Sequence, residues 1–404
     1  MSAKADLGAA AARPLRLYLV AGEHSGDALG AKLMAEIRAR LGGRVAFAGV
    51  GGEKMEAEGL VSLFPLSEVA VMGPLNILKQ LPALVRRVKQ TARAAIAENP
   101  DVVIIIDSPE FTHPIAKRIR KAAPHIPIID YVSPSVWAWR PGRARRMRRY
   151  VDHVLALLPF EPEAHVRLGG PPCTYVGHSL SERLDWIRMQ DPQALSMRMA
   201  LAPEKPVLVV LPGSRVSEVT RLMPVFGQAI GLVADRLPSG LEVLLPVVSS
   251  VRRIVEQGVS KWPVPVALVE GEADKFAAFR LADAALTASG TVTLELGLSG
   301  TPSVVAYKVD VVASRLRFLL KVHSVVLANL VVEENVYPEF LQEAATPGNL
   351  AEALLPLLSD TPERRRQVAG LAGISSRIAT GEKRPSEIAA DIVLDYAVHA
   401  RLRA

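Results

Sequence analysis

Twice in this 404-residue chain an apolar strand runs into a loop of small and charged residues that opens a helix. The first loop is Ala21-Gly22-Glu23-His24-Ser25-Gly26-Asp27, and the second is Leu211-Pro212-Gly213-Ser214-Arg215, near the starts of two similar halves. Small residues let a ligand approach the backbone, and the helix end behind them offers free N–H groups and the positive end of a dipole. A third loop, Ala288-Ser289-Gly290-Thr291, follows an apolar run at 284–288 and begins a helix carrying Glu295. The repetition predicts an α/β chain of two doubly wound, Rossmann-like halves. A diphosphate-type site in the second half would suit a nucleotide sugar held in a cleft.

The length exceeds one ordinary core and predicts two domains of about 150–200 residues each. Half the residues are apolar and the mean hydropathy is +0.22, yet no apolar run approaches the roughly 18–20 residues that span a membrane. Residues 1–14 read as a disordered tail, since Asp6 and Gly8 interrupt what a signal peptide would need as an apolar run. The single cysteine, Cys173, leaves no internal disulfide and no thiolate zinc cluster, which suits a reducing cytoplasm. The histidines His24, His178 and His323 are isolated, so no metal site and no cofactor is expected.

The net charge of +7 is concentrated, because six arginines and no acid lie between Arg140 and Arg149. Such a patch points to phosphate, whether of nucleic acid, anionic lipid or a phosphorylated substrate. Strands read at 15–21, 45–50, 101–106, 126–132 and 153–158, then at 206–211, 241–247, 264–269, 284–288 and 303–307. Helices alternate with them, as parallel sheets covered on both faces require. Leu29, Leu33, Ile37 and Leu41 give the first helix one apolar face. The domains are expected at 15–178 and 179–375, with a helical segment at 376–404, apolar at Ile388, Ile392 and Tyr396, packing back on the first domain.

Ser289, Gly290 and Thr291 combine backbone N–H groups with two hydroxyls at a helix start, which suits a diphosphate. Glu295, one turn on, could accept ribose hydroxyls; the bland reading is a capping box with a buried glutamate. Arg215, beside Ser214, offers a bidentate cation to phosphate oxygens or caps nearby carbonyls. In the first half Asp107 ends a central apolar strand, where it is either a general base or the N-cap of the next helix. Glu23 and Asp27 share that edge, orienting a sugar or satisfying the Ser25 loop. Asn329, Glu339 and Gln342 could recognise sugar or uracil.

The stretch holding Val69, Val71, Met72, Leu75, Leu78 and Leu81 and ending at Arg86 and Arg87 reads as a buried helix or as an element dipping into a membrane. Arg143 and Arg146 could hold lipid headgroups or a substrate phosphate. Trp137 and Trp139 suit a membrane boundary, a core or a base-stacking site alike.

Taken in order, several segments resemble the lipid-A-disaccharide synthase family over roughly residues 15–350. They are AGEHSGD at 21–27, GVGGEKM at 49–55, IDSPEF at 106–111, YVSPSVWAWRPGR at 131–143 and LPFE at 158–161. VGHSL at 176–180, LPGSR at 211–215, SGTVTLE at 289–295 and LANLVVEENVYPEFLQ at 327–342 follow. The chain departs from the family pattern at Ser108, Glu110 and Thr112, and has Ser179 and Ala328 at usual proline positions.

The resemblance implies a GT-B fold with the active site between two Rossmann-like domains, and an inverting glycosyltransferase. UDP-2,3-diacylglucosamine would be the donor and 2,3-diacylglucosamine 1-phosphate the acceptor. Asp107 would be the base, and Arg215 with Ser289–Thr291 would stabilise departing UDP. Glu295 would hold ribose, while Asn329, Glu339 and Gln342 complete the donor site. An anionic membrane surface, on the cytoplasmic face of the inner membrane, and a homodimer are further expected partners, and nucleic acid is not. Two rivals stand on the residues alone: another GT-B transferase or epimerase of UDP-aminosugars, and a non-enzymatic nucleic-acid or membrane-binding protein.

Overall fold

The computed structural model describes residues 13–69, 74–309, 322 and 324–403, with the backbone alone for 74–80 and 403. Val71 and Met72 lie outside the described residues, as do the side chains of Leu75 and Leu78 and residues 1–12 of the tail expected at 1–14. The chain forms two compact units. One runs to Ser181 and resumes at Thr380; the other is Glu182–Ala379.

The first unit is a seven-stranded parallel sheet of β1 (Leu15–Ala21), β2 (Val45–Val50), β3 (Val61–Ser62), β4 (Val102–Ile106), β5 (Ile128–Tyr131), β6 (His153–Ala156) and β7 (Cys173–Tyr175). Their spatial order is β3-β2-β1-β4-β5-β6-β7. Alternate residues of each strand leave on opposite faces. Val102, Ile104 and Ile106 join Leu17 and Leu19 under the helix His24–Leu41, where Leu29, Leu33, Ile37 and Leu41 are all buried. Val103 and Ile105 join Tyr18 and Val20 on the other face, under Val88 and Ala92 of the helix Pro74–Glu98 and Ile115 and Ile119 of Pro109–Ala122. Each such side chain, fully buried, contributes roughly 1.5–3 kcal/mol.

The last helix, Pro385–Arg403, packs in this unit against helix His24–Leu41 and β4. Its innermost face is Ala389, Val393 and Ala397, one residue on from the Ile388, Ile392 and Tyr396 face that the sequence suggested, which is only partly buried. The small alanines explain the rotation, because they let two helices approach closely. Arg401 pairs with Asp101 at 2.9 Å and Arg40 with Asp391 at 2.5 Å, tying the helix at both ends.

The second unit is a six-stranded parallel sheet of β8 (Val207–Leu211), β9 (Glu242–Pro246), β10 (Ala267–Val269), β11 (Ala284–Ala288), β12 (Ser303–Tyr307) and β13 (Glu339–Leu341), in the order β10-β9-β8-β11-β12-β13. Leu208 and Val210 pack under Val219, Leu222 and Phe226 of the helix Val216–Ala234. All ten expected strands are present. Among the described residues three more strands occur that the sequence did not suggest, β3, β7 and β13, with two or three residues each at sheet edges.

Both sheets reverse their strand order at one place, between β1 and β4 and between β8 and β11. The helices after the two flanking strands diverge there, leaving a crevice at the carboxyl ends where α/β proteins bind ligands. The loops singled out from the sequence follow these four strands.

Candidate active site

In the first unit the loops after β1 and β4 touch. A Cβ on Gly22 would lie 2.3 Å from Cβ of Ser108, so only glycine fits that approach. Asp107 and Ser108 have φ of +56° and +43°, a left-handed pair that turns the chain sharply into helix Pro109–Ala122. Aspartate tolerates that region better than most residues. Ser25 Oγ donates to Asp107 Oδ2 at 3.0 Å, and the Ser108 amide donates to Oδ1 at 2.7 Å. Ser108 Oγ in turn donates to Glu23 Oε1 at 2.9 Å. Glu23, Ser25 and Asp107 are thus assembled at the crevice.

Asp27 does not join them. Its buried carboxylate accepts from the amides of Gly52 at 2.8 Å, Lys54 at 3.1 Å and Met55 at 3.0 Å. It caps the helix Glu53–Ala57 from across the fold, which corrects the expectation that it orients a sugar.

Asp107 leans on residues of the segments 131–143 and 158–161. Its amide donates to the Tyr131 carbonyl at 3.0 Å, and the next residue, Val132, has φ of +87°, which is costly for a β-branched side chain. Behind it Ser133 Oγ lies 2.9 Å from His165 Nε2, and Trp137 Nε1 donates to Glu161 Oε1 at 3.0 Å. Glu161 also accepts from the amides of Leu157 and Leu158. Burial pushes its carboxyl up to about 7 against these donors, and burial pushes His165 down to about 4. Trp137 meets Phe160 edge-on at 5.1 Å, so it is the anchor of this turn, while Trp139 is 40% exposed. Asp130, an acid inside an apolar strand, is held 3.0 Å from His113 Nε2, and burial raises its pKa despite that contact.

In the second unit Gly213, with φ of +116°, lets the loop after β8 close over Glu218, whose Oε2 would lie 2.6 Å from a Cβ there. Glu218 Oε1 accepts from Arg215 Nη1 at 3.0 Å, so this buried carboxylate is a partner of Arg215. Ser214 and Thr291 are exposed. Leu211 pairs with Thr287, which sets the Ser214–Arg215 loop beside Ser289–Gly290–Thr291. Ser289 Oγ donates to the Val325 carbonyl at 2.7 Å, and the Val325 amide donates to Glu339 Oε2 at 3.1 Å. Gln342 Oε1 accepts from the Val309 amide at 3.3 Å.

Glu295 is turned toward Lys275, whose Nζ donates to its two oxygens at 3.1 and 3.0 Å. Asn329 is fully buried. Its amide nitrogen donates to the Tyr337 carbonyl at 2.9 Å and its oxygen accepts from the Tyr337 amide at 2.9 Å. It therefore fixes the segment that delivers Glu339, a positioning task in place of the direct contact expected. Among the described residues no three His, Cys, Asp or Glu side chains converge as metal ligands.

The family model described as lipid-A-disaccharide synthetase matches residues 17–393. The chain is 54% identical over 396 residues to the lipid-A-disaccharide synthase of Nitrobacter winogradskyi, covering 98% of this chain and 99% of that one. The chain belongs to the lipid-A-disaccharide synthetase family. The enzyme of that name from Rhodospirillum centenum is 44% identical, covering 95% of each chain. Members of the lipid-A-disaccharide synthetase family are glycosyltransferases of lipid A assembly, and this chain is an enzyme of that class. Its fold recurs in more distant structures. UDP-GlcNAc 2-epimerase from Neisseria meningitidis, bound to UDP-GlcNAc, superposes with a TM-score of 0.62 at 13% identity, covering 94% of this chain and 100% of that one. The kitacinnamycin glycotransferase gives 0.61 at 18%, covering 95% and 100%. Both sheets of this synthetase-family chain are thus of the GT-B, Rossmann-like kind.

Proposed function

We propose that the protein transfers 2,3-diacylglucosamine from UDP to the 6-hydroxyl of 2,3-diacylglucosamine 1-phosphate, giving a β-1,6-linked disaccharide 1-phosphate and UDP. The observation that carries this reading is the position of four loops at the two strand-order reversals: Glu23–Ser25 and Asp107 in one unit, Ser214–Arg215 and Ser289–Thr291 in the other.

Asp107 takes the proton from the 6-hydroxyl as that oxygen attacks the anomeric carbon on the face away from UDP, inverting it. Ser25 and the Ser108 amide hold the carboxylate oxygens in place, and general-base assistance of this kind is worth about 10²–10⁴-fold. Arg215 and the N–H groups opening helix Val292–Ser299 take up charge on the departing diphosphate. Glu295, already ion-paired, keeps lone pairs for ribose hydroxyls. Glu339, Gln342 and Asn329 shape the donor side through the backbone segments they bind.

The lipid substrates call for a membrane surface, and the proposed location is the cytoplasmic face of the inner membrane. Leu81 and Val85, one turn apart on helix Pro74–Glu98, are 46% and 39% exposed, and Arg140 stacks on exposed Trp139 at 4.2 Å. Among the described residues no helix is long and apolar enough to cross a membrane. Proton NMR of the product formed from both lipids tests the reading. A β anomeric signal with one UDP released per disaccharide is expected; an α linkage, or UDP release that does not need the acceptor, contradicts it.

A further inference from the structure

The helix Pro109–Ala122 leaves directly from Asp107 and Ser108, and Glu110, His113, Pro114 and Lys117 fall on one of its faces by their three- and four-residue spacing. Facing them, Arg140, Arg143 and Arg146 recur every three residues along the turn and helix Gly142–Met147. The two stripes line a cavity of about 460 Å³, within the range of small-ligand sites. His113 and Tyr150, both buried, line it too, with the tyrosine hydroxyl 3.0 Å from Nδ1 and Asp130 fixing Nε2.

Among the described residues four cations converge on this cavity against one carboxylate, Glu110. Glu110 engages Arg143 at 2.5 Å and Arg140 at 3.6 Å, but its side chain is 66% exposed and free to swing outward. Arg146 and Lys117 form no ion pair among the described residues; Lys117 lies over the Tyr150 ring at 5.0 Å. Such a walled, polar-floored recess suits a compact dianion better than the flat headgroup plane of a bilayer, and a phosphate monoester carries about −1.5 to −2.

We propose that Lys117, Arg140, Arg143 and Arg146 form the binding site for the phosphate monoester of the lipid acceptor. The assignment rests on the acceptor proposed above. A helical rise of about 1.5 Å per residue puts Glu110, His113 and Lys117 about 2, 6 and 12 Å beyond Pro109. The 1-phosphate leaves C1 and the 6-hydroxyl hangs from C5, the two carbons that flank the ring oxygen, so a phosphate seated among these residues keeps the hydroxyl within one sugar's reach of it, toward Asp107. The pocket orients the acceptor and selects for its phosphate.

The test compares 2,3-diacylglucosamine 1-phosphate with 2,3-diacylglucosamine as acceptors, for the unaltered protein and for Lys117→Ala/Arg146→Ala. Both side chains are solvent-exposed, so the fold is expected to survive. The unaltered protein should prefer the phosphorylated lipid by about a hundredfold in kcat/KM, and the double variant should lose at least about tenfold of that preference through the acceptor KM. The donor KM and sedimentation with phosphatidylglycerol–phosphatidylcholine vesicles should not change. Full preference retained in the variant, or none in the unaltered protein, overturns the site. Lost vesicle binding at unchanged preference overturns it in favour of a headgroup patch. Absence of disaccharide from either lipid with the unaltered protein overturns the proposed reaction, and the site with it.

Discussion

Ser25 donates its hydroxyl to Oδ2 of Asp107 at 3.0 Å, fastening the loop after β1 to the loop after β4. Asp107→Asn keeps the shape and tolerates the left-handed backbone, but removes the basic oxygen. Turnover is expected to fall by at least about 10²-fold with UDP affinity retained. Ser25→Ala should cost less than about tenfold, and nothing further once Asp107 is Asn, since the two residues act as a unit. A steady-state double-mutant cycle with additive effects would break this link.

Asp27 should matter to stability first. Its carboxylate serves three backbone amides at 2.8–3.1 Å, so Asp27→Ala is expected to destabilise the first unit by about 2 kcal/mol. Urea unfolding measures this. An unchanged midpoint together with lost activity would return Asp27 to the site itself.

Arg215→Ala and Glu295→Ala are each expected to weaken UDP binding by on the order of 1–3 kcal/mol in calorimetry. Lys275→Ala should weaken it too, by less, because Lys275 orients Glu295 through contacts at 3.0 and 3.1 Å. Unchanged affinity in the first two would place the nucleotide elsewhere.

Acid should destabilise the protein partly through His178. Burial, reinforced by the charge of Lys32, pushes this imidazole down from 6.5 to about 4, and the Leu180 amide donates to its Nδ1 at 3.2 Å. Its contribution is present above pH 6.5. As pH falls from there toward 4 the unfolded chain takes up a proton that the folded chain refuses, and stability is lost. At pH 5 the loss is about 2 kcal/mol. Glu161, pushed up to about 7, works in the opposite direction, and His165 in the same one. The difference between the unaltered protein and His178→Gln isolates the term. Urea midpoints should fall more steeply from pH 7 to pH 5 in the unaltered protein; parallel slopes would contradict the assignment.

The fold was legible where elements bury a full face. β4 needed only its unbroken apolar run Val102–Ile106, and the helix with Leu29, Leu33 and Ile37 only its periodicity. β3, β7 and β13 were not, because a two- or three-residue edge strand has no period and is made by its neighbour. The loops with Ser25, Asp107, Arg215 and Ser289 stood out because strand ends place ligands. What their side chains bind did not, since it depends on elements far apart in sequence. Asp27 reaches Gly52, Glu339 reaches Val325, and Glu295 reaches Lys275. Asp130 was a further signal for the buried network beside Asp107, being an acid inside the otherwise apolar segment at 126–131.

This protein joins two lipid-bearing sugars, consuming a UDP-sugar and releasing UDP. Mass spectrometry of the lipids recovered after mixing the protein with UDP-2,3-diacylglucosamine and 2,3-diacylglucosamine 1-phosphate decides whether it does. A tetraacyl disaccharide carrying one phosphate is expected, with an equal amount of UDP. A UDP-sugar returned at its original mass, with the monosaccharide acceptor untouched, would contradict it.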